Sequence, residues 1–391
     1  MPIAPRPEES AARRNNFDLL RLCAALQVMI NHIDEHLHLP IFRAGAFLLE
    51  LFPGVAIFFI ISGYLIFRSY VFKQRQIWTF FKNRILRIFP GFIVSVIVTD
   101  LFLYCVGGFH LADIISSRFV LFHLIEIPLC SSWFAGFLMN GYPFTFPSAI
   151  GGFYPNNVYW TLTVEMGFYA LVPILLWPLR MVQPRNGVLL WLLFWVLVSF
   201  ACAVWMDSAI GTTGRGVEAA ILTSLVFPYL WIFLLGGMLF LISGPIKSLI
   251  EGKGLFWLGL YLAVSVYAFW FHDIAILDYS RINPLVTVRM SLLAIAVISL
   301  AYTRVDLAEI LGGIDISYGI YIYHMLVVDV FMEMRVIGRW YLWVLVPLST
   351  ALMAYLSWTF VENPCLKLKH RQRRSISESE PLASGTGAQS S

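Results

Sequence analysis

Charged residues are scarce in this sequence: Asp, Glu, Lys and Arg make up only 13% of its 391 residues. Soluble domains carry about 25%, so this supply cannot cover a water-facing surface. Cysteine is scarce too. Cys23, Cys105, Cys130, Cys202 and Cys365 lie scattered, mostly in apolar runs and without Cys-x-x-Cys spacing. That pattern argues against a disulfide framework and a zinc site, and leaves small apolar packing residues. The net charge of +4 is too small to argue for a nucleic-acid partner. A cleavable leader is not expected, because Met1–Asn16 is polar with several Pro, Glu and Arg. The first apolar run is therefore expected to stay as a signal anchor.

What the chain has in abundance is apolar surface, with 59% hydrophobic residues and a mean hydropathy of +0.76. Lipid is the solvent this composition requires, and the fold expected is all-α, a polytopic membrane bundle of about ten transmembrane helices. The apolar runs are Phe17–His36, Phe47–Tyr70, Ile88–Gly107, Trp160–Leu179, Val188–Met206, Ala219–Ile242, Leu255–Phe271, Pro284–Tyr302, Ile314–Met332 and Tyr341–Val361. Arg118–Met139 is also apolar, but it contains Pro128 and ends in a Gly/Pro-rich loop. It is expected to be re-entrant or interfacial.

Charge placement supports that assignment. With the N-terminus inside, one set of connections holds Arg13, Arg14, Lys73, Arg75, Lys82, Arg84, Arg87, Arg180, Arg185, Lys247, Lys253 and Arg304. The basic stretch Lys367–Arg374 falls on the same side, whereas the opposite connections hold only scattered cations. This is the positive-inside asymmetry, and it requires an even number of spans. The organisation expected is a cytoplasmic segment at 1–16, a transmembrane domain at 17–366 and a basic, then disordered, cytoplasmic tail at 367–391.

The first span places Asp18, Arg21 and His32 in an otherwise apolar helix. Each intramembrane charge costs about 2.5–3.5 kcal/mol on insertion scales and so calls for a reason. Arg21 and His32 are separated by about 1100° of rotation, some 20° beyond three turns, with His32 about 16 Å deeper. Asp18 joins the same stripe. A snorkelling arginine and a bundle histidine explain each residue singly; their alignment points to a site. In the ninth run Ser317, Tyr321 and His324 form a second polar stripe, consistent with an interhelical hydrogen-bond seam.

Six stretches carry a family resemblance. FDLLRLCAALQVMINH, PGVAIFFIISGYLIF, FFKNRILRIFP, VYWTLTVEMGFYALVP, ISYGIYIYH and FVENP occur in that order. They resemble the successive motifs of the acyltransferase family 3 membrane proteins. Thr161 stands where that family commonly has serine, and Asn31 and Ile33 flank His32 where many relatives have one. The resemblance implies a helical bundle that acylates glycans or other hydroxyl compounds from an acyl-coenzyme A, with acetyl-CoA the expected donor. The acceptor it implies is a glycan or lipid-linked saccharide, and the setting a multi-pass protein of the inner (plasma) membrane.

On that resemblance, Arg21, Arg84 and Arg87 are expected at the donor's phosphates, since a guanidinium fork matches phosphate oxygens. Arg84 and Arg87 also suit plain positive-inside charge. A pantetheine arm would span the gap from Arg21 to His32, which is expected to act as general base. Glu165 has two readings, orienting the acceptor or capping the fourth span. Trp160 reads as an interfacial anchor or a sugar-stacking surface, and Tyr321 and His324 as substrate contacts. Glu362 is expected to pair with a basic side chain. His32 and His36 are four apart, but no HExxH or cysteine partner accompanies them, so no metal is expected. A transporter that moves a glycan or acylated compound is the rival class, since buried Arg and His serve ion paths as well.

The charge pattern places Ser391 in the cytoplasm. Reporter fusions at both ends are expected to read cytoplasmic; an external signal at Ser391 would require Arg118–Met139 to span.

Overall fold

A computed structural model describes residues 15–39, 51–72, 77–106, 112, 116–139, 156–178, 185–213, 225–272, 282–303 and 314–367. Among them there is helix and no strand. The helices are α1 (Phe17–Leu37), α2 (Gly54–Phe72), α3 (Ile77–Cys105), α4 (Ser117–Leu129), α5 (Ser132–Leu138), α6 (Trp160–Leu175) and α7 (Arg185–Thr213). They continue with α8 (Leu230–Ile242), α9 (Lys247–Ile250), α10 (Gly254–His272), α11 (Pro284–Ala301), α12 (Ser317–Glu333) and α13 (Leu342–Ser357). The terminal segments 1–14 and 368–391, and residues 47–50 and 219–224 of two expected spans, lie outside the described residues.

Six helices among the described residues are long and apolar enough to cross a membrane: α2, α3, α7, α10, α11 and α13 with its continuation to Lys367. The other apolar helices fall short for identifiable reasons. α1 has 21 residues but carries Asp18, Arg21, Asp34 and Glu35, while α6, α8 and α12 have 16, 13 and 17 residues. A straight span needs about 20. Outward faces of the long helices are apolar: Leu255 is 78% exposed, Phe271 74% and Trp270 69% on α10. Contiguous apolar surface of this kind is stable only against lipid.

The Arg118–Met139 stretch forms two short helices, α4 and α5. Cys130 breaks them with a left-handed φ of 51°, and Ser131 caps the second by accepting from the Phe134 amide. Pro128 stands one residue before the end of α4. Neither helix alone has the length of a span.

Four packings position the interior. α1 lies along α12, α2 along α8, α10 along α11, and α12 along α13. The tightest is α2 on α8. A Cβ on Gly63 would sit 1.9 Å from the Phe233 carbonyl oxygen, and one on Gly236 2.0 Å from that of Ile60. The backbones are therefore in direct contact, which glycine alone permits and which replaces a hydrophobic driving force between lipid-embedded helices. α3 keeps Pro90 within its 29 residues. After α13 the chain widens into a π turn at Trp358–Glu362 before resuming as helix to residue 367. That turn buries Glu362, whose carboxylate accepts from Ser357 Oγ at 2.8 Å. Among the described residues Glu362 has no ion pair, and the basic stretch 368–374 that follows lies outside them.

Gly63→Ala and Gly236→Ala are each expected to destabilise the protein by about 1–3 kcal/mol, the usual range for overpacking. Thermal unfolding in detergent measures this; an unchanged midpoint for both variants would show that α2 and α8 are not in backbone contact.

Candidate active site: an arginine cavity and a histidine pair

Three guanidinium groups converge although they arise from two helices. Arg21 on α1 and Arg84 and Arg87 on α3 line one cavity of about 70 Å³. Its walls include Phe58 and Ser62 of α2, Thr161, Glu165 and Tyr169 of α6, and Tyr318 and Tyr321 of α12. A space of this size is a slot for a slender chain. The three positive groups are not equivalent. Arg21 donates to Asp18 at 3.2 Å, one turn back on the same helix. Arg87 donates to Asp315 at 3.0 Å, and Ser317 holds the other carboxylate oxygen at 2.5 Å. Arg84 has no carboxylate partner among the described residues. Its guanidinium lies 5.6 Å from the ring centre of Phe80 and 5.5 Å from that of Tyr169. Aromatic faces hold a cation in place without neutralising it.

Glu165 belongs to this cavity. It stands in the second turn of α6, whose first turn contains no acidic residue, so the capping reading is excluded. Its Oε1 accepts from Ser62 Oγ at 3.0 Å and, through a short bond, from the Tyr169 hydroxyl. Glu165 lines the arginine cavity, and His32 is not among the residues lining it.

The second half of the site joins α1 to α12. His32 Nδ1 lies 2.8 Å from His324 Nε2, and the two rings stack with centroids 5.1 Å apart and 18° between planes. His324 is fully buried, and its Nδ1 lies 3.0 Å from the Ile320 carbonyl oxygen. His36 is near, its ring 5.9 Å from that of His32. The expected seam on α12 is therefore real at two of its three positions, with His324 bonded to α1 and Tyr321 to α6. Tyr321 connects the halves: its hydroxyl is 2.6 Å from Thr161 Oγ1 on the cavity wall, and its ring centre is 5.9 Å from that of His324. Trp160 is not among the residues lining the cavity; its ring packs against Tyr229, centroids 5.4 Å apart.

Several participants escaped the sequence reading. Asp315, the counter-ion of Arg87, stands just ahead of the ISYGIYIYH motif, where a carboxylate beside a span end was a usable signal. Tyr169 and Phe80 look like ordinary apolar helix residues, and only packing shows that they flank Arg84. A further cluster sits on α3 and α4, where His123 Nδ1 is 2.8 Å from Glu126 and its Nε2 is 3.4 Å from Asp100. The His-x-x-Glu spacing in HLIE signalled this pair. Among the described residues no group of three or more His, Cys, Asp or Glu is arranged to hold a metal ion.

Similarity to known proteins accords with this geometry. The chain is 35% identical over 373 residues to nodulation protein 10 of Rhizobium leguminosarum bv. viciae, covering 94% of this chain and 97% of that protein. It is 27% identical over 357 residues to the O-acetyl transferase of Shigella phage Sf6, covering 90% and 96% respectively. No solved structure matches it. The acyltransferase domain model matches residues 14–362, which include every residue of the arginine cavity and the histidine pair, and the chain belongs to this acyltransferase family.

Proposed function

We propose that this protein is a multi-pass O-acyltransferase of the inner (plasma) membrane, transferring an acetyl group from acetyl-CoA to a hydroxyl of a glycan or lipid-linked saccharide. The observation that carries the reading is the continuity from Arg21, Arg84 and Arg87, through Tyr321, to the His324–His32 pair. The coenzyme's phosphates bind the guanidinium groups, Arg84 foremost because its charge is not already matched. The pantetheine arm follows the slot, a run comparable to the 16 Å or so of helix axis between Arg21 and His32. Thr161 Oγ1 already donates to the Val158 carbonyl oxygen, so its partner Tyr321 is the hydroxyl that turns to the arriving thioester and donates to its carbonyl oxygen as negative charge develops there.

His32 removes the acceptor's proton as its oxygen attacks the carbonyl carbon. The new C–O bond forms, the C–S bond breaks, and the proton passes to the departing thiolate, so the reaction consumes and releases no net proton. Glu165, held by Ser62 and Tyr169, keeps the hydroxyls around the arginines oriented. The donor enters from the cytoplasm, where the basic connections lie, and both termini share that side after ten spans. Similarity to a phage O-acetyl transferase supports the acyl group named here. No metal takes part in this scheme.

Two predictions follow from these roles. His32→Ala and His32→Gln are each expected to lower transfer from labelled acetyl-CoA at least 10²-fold, the contribution of a positioned base, with donor affinity retained. Substantial turnover in His32→Gln would remove His32 from the chemistry; retained vesicle transport of a glycan without transfer would favour the transporter instead. Arg84→Ala is expected to weaken acetyl-CoA binding by about 10–100-fold, the worth of a charged hydrogen bond. Arg87→Ala should weaken it less, since Asp315 already neutralises that group. Arg84→Lys should recover only part of the affinity, because lysine lacks the planar fork. Equal effects of Arg84→Ala and Arg87→Ala in a direct binding titration would place the anion between them.

A further inference from the structure

We infer that His324 is a positioning residue that fixes the tautomer of His32, so that the basic lone pair of His32 lies on Nε2. The inference rests on the proposed role of His32 and adds to it which nitrogen acts and what selects it.

A backbone carbonyl oxygen only accepts, so the 3.0 Å contact between His324 Nδ1 and the Ile320 oxygen requires a proton on Nδ1. His324 is fully buried, and its hydrogen-bond partners among the described residues are the backbone of Ile320 and Tyr321 and the ring of His32. A second proton would create a buried imidazolium facing no carboxylate, which is costly. His324 is therefore neutral, and its Nε2 is an acceptor. At 2.8 Å from that acceptor, His32 Nδ1 must be the donor. Neutral imidazole carries a single N–H, so His32 Nε2 is left with its lone pair free. No hydrogen bond occupies Nε2 among the described residues, and His32 is only partly buried.

A carbonyl on the α12 backbone thus decides, through two rings, the protonation of a side chain on α1. The device has two consequences for transfer. It removes the unproductive tautomer, in which Nε2 carries the proton and is no base. It also stabilises the imidazolium that forms when Nε2 takes the hydroxyl proton, because the Nδ1–H···Nε2 bond to His324 strengthens as its donor becomes charged. No proton need cross to His324, which stays neutral while His32 receives the proton and hands it to the thiolate. The arrangement has the logic of a triad whose orienting member is an imidazole in place of a carboxylate. A neutral partner suits a site in lipid, since it adds no charge that must be desolvated.

The test has two independent readouts. In nanodiscs with 15N-histidine labelling, the wild-type resonances that vanish in His32→Gln identify His32. They are expected to show a protonated Nδ1 and a bare Nε2. A dominant Nε2–H signal would overturn the inference directly, without any reference to activity. The second readout is turnover with donor affinity as the folding check. His324→Phe keeps the ring and its packing but no acceptor; it is expected to lower kcat about 10–100-fold with unchanged affinity for acetyl-CoA. His324→Gln offers a carbonyl oxygen to His32 Nδ1–H without a titratable group and is expected to recover most of that loss. Wild-type turnover in His324→Phe would reduce His324 to packing, and a His324→Gln as inactive as His324→Phe would show that an acceptor is not what His324 supplies. Should His32→Gln remain active while the tautomer is as stated, the proposed base fails and the pairing stands.

Discussion

A polar side chain inside a lipid-embedded bundle has no water to fall back on and must find its partner on the protein. That constraint organises this molecule. Across α1 and α12 His32 meets His324, Glu165 of α6 meets Ser62 of α2, and Thr161 of α6 meets Tyr321 of α12. Each such bond fixes the rotation of one helix against its neighbour, because a helix turned by a single residue, about 100°, would expose the group to hydrocarbon. The site is in this sense a by-product of register. Helices that satisfy their polar groups across α1, α2, α6 and α12 necessarily bring the arginine cavity and the histidine pair into line.

The cavity is electrostatically graded. Three cations in one space repel one another, and the structure offsets that repulsion unequally. Asp18 and Asp315 neutralise two of them while Phe80 and Tyr169 flank the third. The result is a cavity whose positive charge is offset at Arg21 and Arg87 by carboxylates and flanked at Arg84 by aromatic rings. Glu165 adds a negative charge at the cavity wall, held away from salt bridges by two hydroxyl donors. The tight seating of α2 on α8 matters here as well, because α2 supplies Phe58 and Ser62 to the cavity. Displacing that helix by a methyl group's width moves one wall of the cavity.

Much of this was legible along the chain, and the reason is periodicity. Arg21 and His32 share a face because eleven residues nearly complete three helical turns, and the stripe of Ser317, Tyr321 and His324 follows from the same arithmetic. Apolar runs located the long helices now seen, though not the four-residue α9. What the chain did not announce is the identity of most individual side-chain partners. Glu165 had two readings, and the described cavity excludes its role as a helix cap. Glu362 finds Ser357 five residues back, because the π turn rotates it inward, where the sequence suggested a cation. Trp160 is packed on Tyr229, a contact between residues seventy positions apart or so that no local pattern announces. The cluster of Asp100, His123 and Glu126 joins two helices whose mutual placement hydropathy does not encode.

Composition and spacing determined the solvent, the helical class and the faces on which the ionisable residues lie, because these depend only on local geometry and on the cost of charge in lipid. Only the tertiary structure decided which guanidinium lacks a carboxylate among the described residues and which nitrogen of which imidazole faces which acceptor. Those are properties of distances between atoms hundreds of residues apart, 2.8 Å in the case of His32 and His324. A hydrogen bond is lost within a fraction of that length, and helix packing alone sets distances so finely.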